Sequence, residues 1–223
     1  SLDSLGHLVL QKARKDFDMT GNIPEKDFIA FQKTLSEAQD FWARAREAND
    51  YKVYQPYLER IISYLKQFIP LWQKNEKTPY DVLLNQYEPG LTVEKLDAVF
   101  DQVKNGITTL RHKLSANDSI PNDEFLSRKV TKVQQSKYAM AAAQRLGYNL
   151  NKGRLDDTIH PFMEALNRDD ARITTRWDEN NFQMAVLGIL HEAGHGLFDQ
   201  NVDSKYDDVR SVLPISMSIN ESQ

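Results

Sequence analysis

The sequence predicts a mainly helical protein with a small β-sheet packed beside one buried helix. Three observations lead there. Apolar residues recur at three- and four-residue spacing through most of the first two-thirds of the chain. β-prone alternation is confined to residues 171–176, Ala-Arg-Ile-Thr-Thr-Arg. The longest clean apolar run, 185–190, lies at the centre of a helical pattern covering 180–200.

The elements follow in chain order. A first helix is expected over 5–17, before the breakers Thr20, Gly21 and Asn22. A second starts near Pro24, a good first-turn residue, and carries Phe28, Phe31, Leu35, Ala38 and Trp42, which read as core. A third begins near Pro56 and places Leu58, Ile61, Ile62, Leu65 and Ile69 on one face; Pro70 should kink or end it. Tyr87-Glu88-Pro89-Gly90 signals a turn, after which Thr92 caps a helix bearing Leu96, Val99, Phe100, Val103, Ile107, Leu110 and Leu114. Polar residues and Pro121 make 115–123 a loop. Helix resumes over 124–146 and stops at Gly147, a C-terminal cap. Irregular Gly, Asp, His and Pro over 151–170 read as a loop with short turns. The character of the chain changes there: 1–147 reads as a helical scaffold and 148–223 as an active-site segment, packed as one domain.

Composition removes several function classes. The net charge of −4, with Lys and Arg scattered along the helices, argues against nucleic acid as a partner. The run at 185–190 is far too short to cross a bilayer, and no signal-peptide pattern opens the sequence. The sequence contains no cysteine, so neither a disulfide framework nor a thiolate metal site is possible, and a cytoplasmic setting is the default. Any metal must be held by His and carboxylate.

His191-Glu192-Ala193-Gly194-His195 supplies such a set. Residues four apart on a helix share a face, so His191 and His195 present two imidazoles to one point, as a catalytic zinc requires. Glu192 can take a proton from water activated by the metal. A buried helix must satisfy two His and a Glu, which a metal does, and the apolar neighbours from Phe182 to Leu190 imply burial. Gly188 and Gly194 are costly inside a helix and imply close packing or space beside a substrate. Phe198 and Asn201 stand where a metzincin would have Gly and His, which excludes that class. The third ligand is then Glu221 or one of Asp199, Asp203, Asp207 and Asp208.

Several segments together resemble the carboxypeptidase Taq family of metallocarboxypeptidases. His160-Pro161-Phe162, after Gly153-Arg154-Leu155-Asp156, is similar to its His-Pro-Phe. Asp170, Arg172, Thr174 and Thr175 match its Asp-x-Arg-x-Thr-Thr. Asn220-Glu221-Ser222-Gln223 matches its His-Glu-Ser-Gln, and Tyr80 to Leu84 and Tyr87 to Gly90 also fit. The resemblance implies a zincin-like helical scaffold, Glu221 as third ligand and Glu192 as general base. It implies zinc or cobalt, a homodimer, and removal of single residues from peptide C-termini. It implies that His160 lines the substrate groove, although a His before Pro that merely hydrogen-bonds in a loop fits equally. Arg172 is a candidate to position substrate or to pair with Asp170, and Thr174 and Thr175 are candidates to meet an extended peptide beside the strand, which plain β propensity explains as well.

Two departures matter. Asn220 stands where the family has His, altering support around the metal. The later motifs Ile-Arg-x-x-Ala-Asp and Gly-x-x-Gln-Asp-x-His-Trp do not occur. The expectation is therefore the metal-ligand-bearing N-terminal part of a longer architecture, incomplete or inactive alone, with Glu221 weakly held near the chain's end. Two other readings stay open: a related oligoendopeptidase, and a non-catalytic helical domain that dimerises or binds a partner.

Overall fold

The computed structural model describes residues 2–116, 122–209 and 215–222. Most of the expected loop at 115–123, and Gln223 of the last motif, lie outside these described residues. Eight α-helices and one three-stranded sheet occur among them. Contacts group the chain into two units, Ser1–Gln102 and Val103–Gln223.

The first unit is helical. α1 (Ser4–Thr20) is capped by Asp3, whose carboxylate accepts from the Gly6 N–H, and it runs past Phe17 to include Thr20. α2 (Glu25–Ala48) and α3 (Gln55–Trp72) pack through aromatic contacts. Phe31 meets Phe68 edge-on at 5.4 Å between centroids, and Phe41 stacks on Tyr57 at 4.2 Å. Pro70 does not end α3, which continues to Trp72; so near the C-terminus its missing N–H removes a single hydrogen bond.

The sequence reading assigned no element to 79–87, where α4 (Pro79–Tyr87) forms. Thr78 and Asp81 make a reciprocal capping box with Pro at the first turn. The second Asp81 oxygen accepts from the Val93 N–H at 2.6 Å, so one buried carboxylate also anchors the start of α5 (Val93–Ser115). Thr92 caps α5 as expected, its hydroxyl accepting from the Lys95 N–H.

The second unit holds the sheet. The helix expected over 124–146 is divided: a 3-10 turn at Glu124–Ser127 precedes α6 (Lys132–Leu146). The break arises because the Val130 N–H leaves helical bonding for the Glu179 carbonyl, while Thr131 and Gln134 build a new capping box. Gly147 closes α6 at φ 107°, a left-handed conformation that suits glycine. The loop expected over 151–170 contains two strands, β1 (Leu155–Asp157) and β2 (Met163–Asn167). With β3 (Asp170–Thr175) they form a sheet ordered β1-β3-β2, β1 parallel and β2 antiparallel to the centre.

α7 (Phe182–Gln200) packs against β2 and β3, and α6 packs on α7. Ala139, Ala143, Tyr148, Ile173, Ile189 and Ala193 form the core of this unit. The change of character expected at 147/148 therefore lies inside the second unit, because α6 belongs to the same core as the sheet. No helix among the described residues is long and apolar enough to cross a membrane.

Candidate metal centre

α7 is placed by small residues. Ala185, Ile189, Ala193 and Gly196 are buried along one face, where they meet the sheet and α6. Gly196 is the tightest point: a Cβ there would lie 2.7 Å from the Tyr148 ring. The ring is itself fixed, since its hydroxyl donates to the Ala171 carbonyl of β3. Gly188, by contrast, has ordinary space, with Thr175 Oγ1 3.8 Å from such a Cβ. The expectation that α7 is buried all round is corrected. Met184 and Leu187 are 51% and 57% exposed, because sheet and α6 cover only one side.

The motif sits at the boundary between those sides. The His195 side chain is 8% exposed and that of His191 is 43% exposed. Their Nε2 atoms lie 3.2 Å apart, with the rings nearly perpendicular at 81°. α8 (Met217–Glu221), capped by the Ser216 hydroxyl, brings up Glu221. Its Oε2 lies 3.6 Å from His191 Nε2 and 3.8 Å from His195 Nε2.

Among the described residues these three donor atoms lie close enough together to hold a metal ion. A circle through atoms separated by 3.2, 3.6 and 3.8 Å has a radius of about 2.1 Å, which matches bond lengths of roughly 2.0–2.2 Å from zinc to imidazole nitrogen and carboxylate oxygen. The donor set therefore fits a divalent ion. Asp203 and Asp207, two of the alternative ligands, pair instead with Lys205 and Arg168. His195 Nδ1 is buried without a hydrogen-bond partner among the described residues; in metal sites this nitrogen ordinarily donates to a carboxylate or carbonyl.

Glu192 is buried beside the donors. Loss of solvation pushes its carboxyl above the usual range; the neighbouring His191 partly offsets this, and Glu221 adds to the rise. A carboxylate that holds its proton more tightly than in water is the better base.

The other expected site residues are arranged as follows. Arg172 forms a bidentate pair with Asp170, at 2.8 and 2.7 Å. Thr174 is buried, and its hydroxyl both accepts from the Phe162 N–H and donates to the Phe162 carbonyl, each at 2.8 Å. This pins the end of the His160-Pro161-Phe162 turn to β3, leaving His160 exposed on the β1–β2 connection. Thr175 is fully buried. Sequence reading passed over Tyr148, Gly196 and Gln200. The last accepts from the Asn149 N–H and donates to the Asn149 and Lys152 carbonyls, tying α7 to the turn before β1. The signal for Gly196 was its place one turn beyond Glu192 on the small-residue face.

Residues 3–223 match the family described as carboxypeptidase Taq (M32) metallopeptidase. The chain is 37% identical to Carboxypeptidase 1 of Bacillus subtilis (strain 168) over 214 residues, which is 96% of this chain and 42% of that protein. It is 31% identical to Thermostable carboxypeptidase 1 of Thermus thermophilus over 218 residues, 94% of this chain and 43% of that one. Among solved structures, the BsuCP crystal structure superposes with a TM-score of 0.94 at 36% identity, covering 100% of this chain and 44% of its own. The M32 carboxypeptidase from Deinococcus radiodurans R1 gives 0.85 at 30% identity, covering 100% and 44%. The chain thus spans less than half the length of these relatives.

Proposed function

Because the chain belongs to the carboxypeptidase Taq (M32) metallopeptidase family, we propose that it supplies the metal-holding and proton-transferring part of a centre that releases C-terminal residues from peptides. The observation that carries this is the convergence of His191, His195 and Glu221 on one point, with Glu192 buried beside it.

Zinc is the metal that the two imidazoles and one carboxylate favour, and cobalt suits the same donors. When bound, such an ion supplies Lewis acidity toward a peptide carbonyl and acidifies water. His191 and His195 hold their positions because α7 is locked by the sheet below it. Glu192 takes the proton from the attacking water and returns it to the departing amine, favoured in both roles by its raised pKa. His160 faces the substrate from a turn that Thr174 fixes, with Thr175 supporting β3 beneath. Arg172, oriented by Asp170, lends positive charge to the same side of the sheet. A reducing cytoplasm is supported by the lack of cysteine, and the family reading adds a homodimer.

The test is metal content by elemental analysis, followed by peptide hydrolysis. Purified without chelator, the chain is expected to carry about one zinc. Glu192→Gln should keep that metal and slow any hydrolysis by on the order of 10²–10⁴-fold, the usual worth of a positioned base. Cleavage of peptides with a blocked C-terminus would favour an endopeptidase instead. Absence of metal would refute the centre outright.

A further inference from the structure

A cavity of about 560 Å³ lies within the first unit, between α1, the end of α3, the turn that follows it and α4. None of its lining residues is in the unit that holds the metal donors. Its volume suits a small molecule. Trp72 shapes it: the indole N–H donates to the Met19 carbonyl at 2.7 Å, which ties the end of α3 to the end of α1 and fixes the ring in the wall. Met19, Leu71 and Val82 extend that wall as an apolar surface.

The charged groups of the lining are Arg14, Lys15 and Lys74 against Asp18 and Glu76, a surplus of one cation. Both acids are already occupied. Asp18 accepts from Arg14 Nε at 3.0 Å and from Lys74 Nζ at 2.7 Å. Glu76 accepts from the Lys74 N–H at 2.7 Å and from the Asn85 amide at 3.3 Å. Lys74 thereby holds both carboxyls below their usual range, through its side chain at Asp18 and its backbone at Glu76. The cations retain capacity. Arg14 uses only Nε on Asp18, which leaves its Nη groups without an acceptor among the described residues. The Lys15 ammonium makes no ion pair or hydrogen bond among them, and Gln86 keeps a buried amide nitrogen without a partner there. The lining therefore offers donors to an anion and an apolar wall to its body, with no carboxylate to spare for an ammonium group. We infer that this cavity binds a small monocarboxylate with an aromatic or branched aliphatic body and no free amine. A single negative charge matches the surplus of one cation, whereas the second charge of a phosphate would face Asp18 and Glu76. Free apolar acids and N-acylated apolar amino acids share this chemistry.

Calorimetric titration of the whole chain with phenylpropionate tests this, with a chelator present so that the metal centre cannot hold the carboxylate. Saturable binding in roughly the millimolar range is expected for a ligand of this size. N-acetylphenylalanine carries the same groups, and the tighter of the two identifies whether free acids or acylated residues are the source. Phenylpropionamide lacks the charge and phenylalanine adds an ammonium, so each should bind at least about tenfold more weakly than phenylpropionate. Arg14→Gln combined with Lys15→Gln, both at exposed positions, should weaken binding by about tenfold with an unchanged Tm. Leu71→Glu, which puts an anion on the exposed edge of the apolar wall, should abolish it. Absence of saturable binding, or an affinity that the double variant leaves unchanged, overturns the site. Equal binding of the amide overturns the carboxylate, and equal binding of phenylalanine overturns the exclusion of an amine.

Discussion

Gly196→Ala tests whether packing beneath α7 sets the geometry of the metal donors. The new methyl would sit 2.7 Å from Tyr148 Cε2 and 3.0 Å from Cδ2, about 1 Å inside the usual carbon–carbon contact of roughly 3.5–4.0 Å. Tyr148 is 2% exposed and its hydroxyl is held by the Ala171 carbonyl, so the ring has little room to swing. α7 must therefore back away. Overpacking of this kind costs about 1–3 kcal/mol, and an overlap near 1 Å against a fixed ring belongs at the upper end. Alanine returns about 1 kcal/mol of helix propensity. The net loss of about 2 kcal/mol corresponds to a fall in Tm of roughly 4–8 °C for a chain of this size. A shift of up to about 1 Å also exceeds the roughly 0.2 Å tolerance of a metal site, so zinc affinity, read by competition with a chromogenic chelator, should drop at least about tenfold. Gly188→Ala is the matched control. Its methyl would meet only ordinary contacts, at 3.8 and 3.9 Å, so helix propensity alone should raise Tm by roughly 2–4 °C. If Gly196→Ala matched that control in both Tm and zinc affinity, the claim that Tyr148 fixes α7 would be refuted.

Glu221→Ala leaves two imidazoles where three donors stood; zinc content on elemental analysis should fall well below that of the unaltered chain, and equal content would point to another ligand. Tyr148 gives a pH signature. Burial pushes its phenol up to about 12, so below pH 10 folded and unfolded chains are both protonated and the contribution is complete. Between pH 10 and 12 the unfolded chain loses a proton that the folded chain keeps, and up to about 3 kcal/mol of stability is lost progressively. Urea unfolding across that range should show the decline, and Tyr148→Phe should remove this component of it. Asp81 works in the opposite direction. The Val93 N–H, followed by the Thr78 hydroxyl and N–H, holds its carboxyl below the usual range, so its contribution is present at neutral pH and disappears as pH falls through that lowered value. Asp81→Asn should flatten the acid limb of the stability profile.

The parts legible in the sequence are those whose cause is local. Spacing alone sets His191 over His195, and Thr92 and Gly147 mark helix ends through their own backbone chemistry. The capping box and first-turn proline of α4 were equally local, and only the brevity of the element hid it. The strands were hidden for a different reason. β1 is three residues with two aspartates and exists because Ile173 and Thr175 of β3 pair with it, not from propensity. In β2 the alternation fails at Leu166, the extra residue where the pairing slips between Ala165 and Asn167, which leaves that leucine exposed. The site divides along the same line. Two of the proposed ligands share one helix and follow from a repeat of four, whereas the third requires knowing which acid the chain returns to them. From the residues alone Glu221 stood level with four aspartates. In the structure Asp203 and Asp207 are paired with cations, while Glu221 approaches both Nε2 atoms, which supports proposing it. Tyr148 belongs with these non-local causes. Nothing around it in the sequence hints that its ring will meet Gly196, yet that contact fixes the height of the helix on which both imidazoles stand.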